Sequence, residues 1–410
     1  MSRFGIGFLS FFLLIVLVRN PVTAQQKTKH PKDGIRPERW FCQLAIQDKT
    51  IDFFLSEVRS KGVVPNFILA NGKEKIELKF NRLERDTLFC PVSVFDAELV
   101  LPLQKGREFQ GYFLKNNANK MFFKASSGWE IEKPPNPVDP AVSGQWRIRF
   151  YDNGIQADSG LLVLNQKQDS LYGTILSETG DFRFLNGRAG ENKFYLQTFD
   201  GGHTYRFDFQ KDGSKFNGRF LYGPAGYQDV VLEKSQNQSL KDGFSLTSLK
   251  KEEKFSWLAK DDKGDKIDNT DPRWQGKALV IQVMGSWCPN CLDETRFLTE
   301  AWKSKPSDVE IVALAFERKP GIMAAYERIN AVKNRLGVPY PIFWGGMSKK
   351  DSALKAFRGI EKILAYPTTI FVKKDGTVYK VHSGFSGPAT GIHYEAWKKE
   401  FSLIMSELSR

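Results

Sequence analysis

The pentapeptide Trp287-Cys288-Pro289-Asn290-Cys291 closely follows an apolar run, ALVIQVM at 278–284, and this pairing restricts the region to a strand that turns into a helix through two cysteines. Such a run fits a central strand buried on both faces, interrupted only by Gln282. Two intervening residues let both sulfurs meet across the first turn of a helix, as a reversible disulfide requires. Cys288 then lies nearest the helix N-terminus, where unpaired N–H groups and the helix dipole favour thiolate over thiol. This makes Cys288 the expected nucleophile and Cys291, one turn deeper, the resolving thiol. Pro289 loses its donor where the loss is tolerated, and Asn290 supplies an uncharged polar neighbour. With no histidine between the cysteines, no imidazolium stabilises the thiolate, which leans toward reduction rather than strong oxidation.

Zinc is the chemical rival of a cysteine pair. No second paired-cysteine cluster follows, and the four histidines show no complementary spacing, so neither metal nor cofactor is expected. Trp287 has two readings, a cover for one side of the disulfide or a core side chain. Glu294, three positions past Cys291, returns to the same helical face; it is either an acid–base partner of the resolving thiol or an exposed helix carboxylate. Pro367 stands between Tyr366 and Thr368 before a predicted hairpin. A cis bond there would leave the preceding backbone available to a cysteine-containing substrate, with Tyr366 shaping access and Thr368 supporting the turn; a trans loop proline is the alternative.

Around these residues the pattern predicts a strand over 309–316, helices over 322–336, 352–357 and 393–408, and a hairpin from 368–373 and 377–382 about Asp375-Gly376. The earlier part of the chain reads differently. Short apolar segments at 41–46, 66–69, 75–80, 87–91, 98–103 and 108–113 suggest strands, and the proline cluster from Pro134 to Pro140 a linker. Beyond Trp146, the runs LLVLNQ, LYGTIL, DFRFL, KFYLQTF, TYRFDF and KFNGRF alternate as in an antiparallel meander, forming a curved sheet, sandwich or small barrel. Similar phenylalanine-rich outlines in the two regions suggest either a diverged duplication or merely shared strand-and-turn chemistry. Cys42 and Cys90 are too far apart for a local redox turn; they are a candidate structural disulfide between two strands, or two independent thiols.

The first 24 residues form a separate unit. Arg3, an apolar run of 15 residues and Val22-Thr23-Ala24 have the three regions of a secretory signal, with cleavage expected after Ala24 and an uncleaved anchor as the alternative. The two leader arginines account for part of the +13 formal charge and leave +11, dispersed among acids. Without zinc-finger spacing or an RNA-binding aromatic signature, that charge does not indicate a nucleic-acid partner.

Residues 244–400 resemble the thioredoxin-like disulfide reductases of the TlpA/ResA type. WCPNC resembles the family's active-site motif, Glu294 falls where a family acid follows it, and YPT at 366–368 resembles the cis-proline loop. The resemblance implies a thioredoxin fold, a periplasmic or other extracytoplasmic location and a disulfide-containing protein substrate, with electrons often delivered by a membrane-bound thiol donor. One position departs from thioredoxins, which often carry a buried acid six residues before the first active cysteine; here it is Gln282, and Glu294 is expected to take over. The beta-rich region resembles, more weakly, the amino-terminal extension of some thioredoxin-like proteins of Gram-negative envelopes, including Bacteroidota-type sequences. The expected fold is α+β, with beta-rich units at 35–133 and 143–235 before a thioredoxin-like α/β domain with a central mixed sheet at 240–410. Rival functions are a thiol oxidase or isomerase, or a beta-sheet binding protein with a dormant thioredoxin-like domain. The physiological substrate and oligomeric state are not encoded in any motif.

Overall fold

The computed structural model describes residues 38–58, 64–92, 95, 97–103, 106–115, 119–127, 142–235, 240–250, 254–349 and 352–410. The expected leader at 1–24 and the expected linker from Pro134 to Pro140 lie outside them. Alternation of buried and exposed residues, the signature of a half-buried sheet, governs the first region. Its strands are β1 (Glu38–Ile46), β2 (Lys49–Val58), β3 (Asn66–Asn71), β4 (Glu74–Leu78), β5 (Arg82–Glu84), β6 (Thr87–Val92), β7 (Ala97–Pro102), β8 (Glu108–Lys115) and β9 (Asn119–Ser127). They form one antiparallel sheet in the order β4-β3-β2-β1-β9-β8-β7-β6-β5, so the first and last strands are neighbours.

The second region continues with β10 (Gly144–Asp152), β11 (Ile155–Lys167), β12 (Ser170–Ser177), β13 (Gly180–Asp181), β14 (Leu185–Ala189), β15 (Lys193–Phe199), β16 (Thr204–Asp212), β17 (Lys215–Tyr222) and β18 (Gly226–Lys234). First and last strands again pair, and an additional β11–β12 ladder closes this sheet into a barrel. Of the sheet, sandwich and barrel forms that the meander allowed, the barrel is the one adopted. Phenylalanines fill it: Phe207 and Phe220 stack with centroids 4.2 Å apart, and Phe150 stacks on Phe182 at 5.7 Å. The expected DFRFL strand is a correction. Of these residues only Asp181, at the end of β13, and Leu185, at the start of β14, pair with β12; between them Arg183 takes a left-handed φ of 60° that interrupts the extended run. Strands β2, β9 and β18 also exceed the sequence reading; β2, KTIDFFLSEV, buries Ile51, Phe53, Leu55 and Glu57 in alternation, with Asp52, Phe54, Ser56 and Val58 on its other face.

The two beta regions share a core. Phe199 of the barrel lies 4.6 Å from Phe53 and 5.1 Å from Phe113 of the first sheet, and Thr198 donates to Asn71 Oδ1 at 2.9 Å. Cys42 and Cys90 are both buried in that core, on β1 and β6.

The last region comprises β19 (Ser256–Lys260), β20 (Lys266–Asp268), β21 (Ala278–Met284), α1 (Pro289–Trp302), β22 (Val309–Glu317), α2 (Ile322–Leu336), β23 (Ile342–Met347), α3 (Ser352–Lys355), β24 (Phe357–Arg358), β25 (Thr368–Val372), β26 (Val378–Ser383) and α4 (Ile392–Ser409). Its sheet runs β20-β19-β23-β22-β21-β25-β26, with β24 off β19. Strand β21 is parallel to β22 and antiparallel to β25, giving the mixed sheet of a thioredoxin-like fold. Every residue of β21 is buried: Ala278, Val280 and Met284 face the core shared with α1 and α4, whereas Leu279, Ile281 and Val283 face the opposite one. By this two-residue period Gln282 faces α1. Gly337 ends α2 with a left-handed φ of 62°. Among the described residues no helix is long and apolar enough to cross a membrane.

Closure of the barrel depends on Gly173, which pairs with Leu164 in the closing ladder; a Cβ there would fall 2.0 Å from the Val163 carbonyl oxygen. Gly173→Ala is therefore expected to lower stability by about 1–3 kcal/mol, read as a fall in the urea midpoint with the denaturant slope retained.

Candidate active site

Strand β21 ends at Met284, and the chain must then turn through Gly285 and Ser286 to start α1. A buried carboxylate fixes that turn: Glu317 at the end of β22 accepts from the Ser286 N–H at 2.9 Å and from its hydroxyl at 2.7 Å. Trp287 is anchored next, its indole N–H donating to the Phe316 carbonyl at 3.0 Å. Its ring lies edge-on to Tyr366 with centroids 5.4 Å apart, and the Arg318 guanidinium sits 4.2 Å from it. Trp287 thus stands beside the site while packing against the core.

Cys288 is the N-cap of α1 and Pro289 the first helical residue. Cys288 and Cys291 form a disulfide, with Cα atoms 5.2 Å apart. The Cys291 N–H donates to Cys288 Sγ at 3.2 Å, so one of the helix's unpaired donors is aimed at the outer sulfur. Cys288 Sγ also lies 3.3 Å from the carbonyl oxygen of Tyr366, and the Tyr366–Pro367 bond is cis. Thr368 donates through its hydroxyl to the Ala365 carbonyl at 2.8 Å, closing the turn around the proline. Cys291 is fully buried and Cys288 is 5% exposed, which makes the latter the sulfur nearer solvent.

Glu294, three residues past Cys291 on α1, is fully buried. Thr369 donates to Oε1 at 2.6 Å and Gln282 Nε2 to Oε2 at 2.9 Å; the same amide nitrogen lies 3.3 Å from the Cys291 carbonyl oxygen. Burial pushes this carboxyl up from its ordinary 4.5 to about 7, a rise that the two neutral donors only partly offset. Gln282 therefore replaces a buried acid in sequence position and hydrogen-bonds to the acid that is present.

Asn290 points away from this centre toward the barrel. With its amide oriented to satisfy both partners, it donates to the Asp181 carbonyl at 3.2 Å and accepts from the Asp181 N–H at 3.1 Å. Sequence reasoning overlooked Thr369, Glu317 and the barrel residues Asp181 and Arg183. Thr369 had a legible signal, since it follows Thr368 into β25, directly opposite Gln282. The barrel residues had none. Among the described residues no cluster of three or more His, Cys, Asp or Glu side chains is arranged to hold a metal.

The Glu294 titration has a consequence for stability. Between about pH 4.5 and 7 the folded protein retains a proton that the unfolded chain has released, so stability falls as pH rises through that window, by about 3 kcal/mol. Glu294→Gln removes this titration. Urea midpoints at pH 5 and pH 8 are expected to diverge less in the variant than in the wild type.

Residues 245–391 match the model of the Redoxin family. No curated protein matches the chain. A secreted Mycobacterium tuberculosis disulfide oxidoreductase, described as homologous to E. coli DsbE, is 17% identical with a TM-score of 0.27, over 37% of this chain and 96% of its own. A thiol-disulfide oxidoreductase from Bacteroides fragilis is 18% identical with a TM-score of 0.26, over 36% of this chain and 96% of its own. A DsbF homologue from Corynebacterium diphtheriae is 17% identical with a TM-score of 0.29, over 41% and 99%. The Redoxin match spans both cysteines of a disulfide set at a helix N-terminus on a thioredoxin-like sheet, and the chain is accordingly an enzyme of dithiol–disulfide exchange.

Proposed function

We propose that the chain is an extracytoplasmic protein-disulfide reductase of the TlpA/ResA type. The observation that carries this reading is the Cys291 N–H aimed at Cys288 Sγ on a helix that also carries the fully buried Glu294. In the reduced protein that donor faces a thiolate, and a carboxylate titrating near 7 is matched to a neutral-pH proton transfer. The Cys288 thiolate attacks one sulfur of a substrate disulfide. A mixed disulfide forms, and the substrate's other sulfur leaves as a thiolate that takes up a proton. Cys291 passes its proton to Glu294 and attacks Cys288 Sγ; the mixed disulfide breaks and the Cys288–Cys291 bond forms. The second substrate sulfur leaves as a thiolate that takes up a proton from solvent to complete the dithiol, while Glu294 later returns its own proton to solvent. The two electrons come from the cysteine pair and are restored by a membrane-bound thiol donor. Tyr366, Pro367 and Thr368 border the outer sulfur and receive the substrate backbone, while Trp287 and Pro289 shape the rim and Asn290, bonded to Asp181, shapes the site from the barrel side.

Cleavage of the leader after Ala24, a periplasmic or similar location, and division of the mature chain at 35–133, 143–235 and 240–410 belong to the same proposal. So does a Cys42–Cys90 bridge, which an oxidising compartment would permit between two residues of one core. Thiol titration of the denatured, unreduced C288S/C291S protein is expected to find no reactive sulfur; titratable thiols would remove the bridge.

Reduction of a disulfide-bearing protein by wild type, C288S and C291S tests the central claim. C288S is expected to lose at least about 100-fold in turnover, and C291S to accumulate reducible adducts that C288S/C291S cannot form. Turnover that survives C288S, or that requires Cys42 or Cys90, would overturn it. In Glu294→Gln, release from the trapped adduct is expected to slow by about tenfold or more near pH 7, with the initial attack by Cys288 changed less.

A further inference from the structure

The barrel reaches the cysteine turn through the short segment that joins β12 to β14. Gly180 and Asp181 lie against Asn290, the residue immediately before Cys291, and the Asn290 amide bonds both backbone groups of Asp181. A Cβ at Gly180 would fall 1.9 Å from the Asn290 side-chain amide, so any larger residue there would displace that amide from Asp181. On the other side of this segment, Asp181 Oδ2 accepts from the Gly387 N–H at 2.7 Å, and a Cβ at Gly384 would meet the Thr179 carbonyl oxygen at 2.5 Å. Gly384 in turn donates its N–H to the Pro367 carbonyl at 2.8 Å, so the same barrel segment borders both the cysteine turn and the cis-proline loop.

A second contact lies one helical turn deeper. Arg183, in its left-handed conformation, sends a buried guanidinium to three carboxylates: Asp293 Oδ2 on α1 at 2.7 Å, Asp200 Oδ2 in the barrel at 2.9 Å and Glu74 Oε2 on the first sheet at 2.5 Å. Asp181 Oδ1 accepts from the Arg183 N–H at 2.6 Å, tying the two contacts together. Asp293 is two residues past Cys291, and Arg296 also pairs with it, at 2.6 Å. The cysteine turn is thus clamped at Asn290 and Asp293 by one barrel segment. Surface ion pairs would contribute little, but in a buried fork each carboxylate depends on its cation, and the fork imposes one geometry.

We propose that Gly180, Asp181 and Arg183 of the barrel are positioning residues of the redox centre, holding the first turn of α1 so that the Cys291 N–H stays aimed at Cys288 Sγ. They touch neither reacting sulfur; their effect passes through Asn290 and Asp293. The inference rests on the exchange chemistry proposed above and adds a role for the amino-terminal region beyond scaffolding. If the clamp loosens, the N–H loses its alignment, the Cys288 thiolate loses stabilisation, and its titration moves upward.

The test uses reduced full-length protein and the pH profile of Cys288 alkylation by iodoacetamide, scored at that residue by mass spectrometry, together with the redox equilibrium of the pair against glutathione. Gly180→Ala drives a methyl group into Asn290, and Arg183→Lys keeps a cation while losing the fork. Each is expected to raise the alkylation midpoint by about half a pH unit and to slow alkylation at pH 7 by about threefold. Asn290→Ala removes the group that the added methyl meets, so Gly180→Ala introduced into that background is expected to shift nothing further. Folding is checked by circular dichroism, and Arg183→Lys preserves the test if Gly180→Ala fails to fold. Profiles of the folded variants that superimpose on wild type would overturn the proposal, as would a Gly180→Ala effect of equal size in the wild-type and Asn290→Ala backgrounds. A shifted profile in a protein whose wild type reduces no disulfide substrate would instead refute the reductase reading and leave the positioning role standing.

Discussion

The chemistry depends on one donor, the Cys291 N–H, being directed at the sulfur of Cys288. A helix leaves its first N–H groups without partners, and this one is satisfied by the N-cap side chain of Cys288 itself. The placement is built backwards along the chain. Strand β21 is held by a parallel neighbour on one edge and an antiparallel one on the other, so its end is fixed in all directions. Glu317 then binds Ser286 twice, and Pro289 enters the helix where no donor is needed. The sulfur is positioned before any substrate arrives.

Two buried carboxylates show how surroundings decide protonation. Glu294 has only neutral donors, Thr369 and Gln282, and burial dominates, so the proton is held up to neutral pH. Asp200 is equally buried, which by itself would raise it, but His203 and Arg183 outweigh that cost and hold it well below the usual carboxylate range. The first can exchange a proton near neutrality; the second is a permanent anion that helps to fix Arg183. Burial is common to both, and the presence of a cation separates them.

The carboxy-terminal region was legible because its signals are local. The unbroken apolar run of β21, the cysteine spacing and Gly337 after the α2 periodicity each identify an element from a few neighbouring residues. The same holds for Glu294, which the helical period returns to the face of Cys291 and which β21's two-residue period sets opposite Gln282. The beta region yielded strands but not closure, since a meander that pairs its ends and one that stays open carry the same alternation; the deciding β11–β12 ladder depends on Gly160 and Gly173, which admit the neighbouring backbone. DFRFL misled because its phenylalanines alternate as a strand would, although the left-handed Arg183 between them breaks the ladder. Asn290 was visible as a polar residue in a motif, but its partner lies more than a hundred positions earlier, and no periodicity connects them.

That long-range contact bears on why a redox domain carries two sheets before it. Phe95 packs against both the first-sheet core and the core that contains the cysteines, Phe199 joins the first sheet to the barrel, and Arg183 draws carboxylates from all three regions. Apolar contacts of this kind hold surfaces together while tolerating small slides, because dispersion and burial have little directionality. A guanidinium forked among buried carboxylates behaves in the opposite way: it adds little net stability over an apolar filling of the same volume, yet a displaced member leaves an uncompensated charge, at a cost of about 3–5 kcal/mol. The phenylalanines therefore account for the attachment of the sheets to the redox domain, and the ion pairs for the fixed position of that attachment. That fixed position matters most at α1, where the Cys291 N–H must stay directed at Cys288 Sγ, because a hydrogen bond weakens steeply as its angle closes.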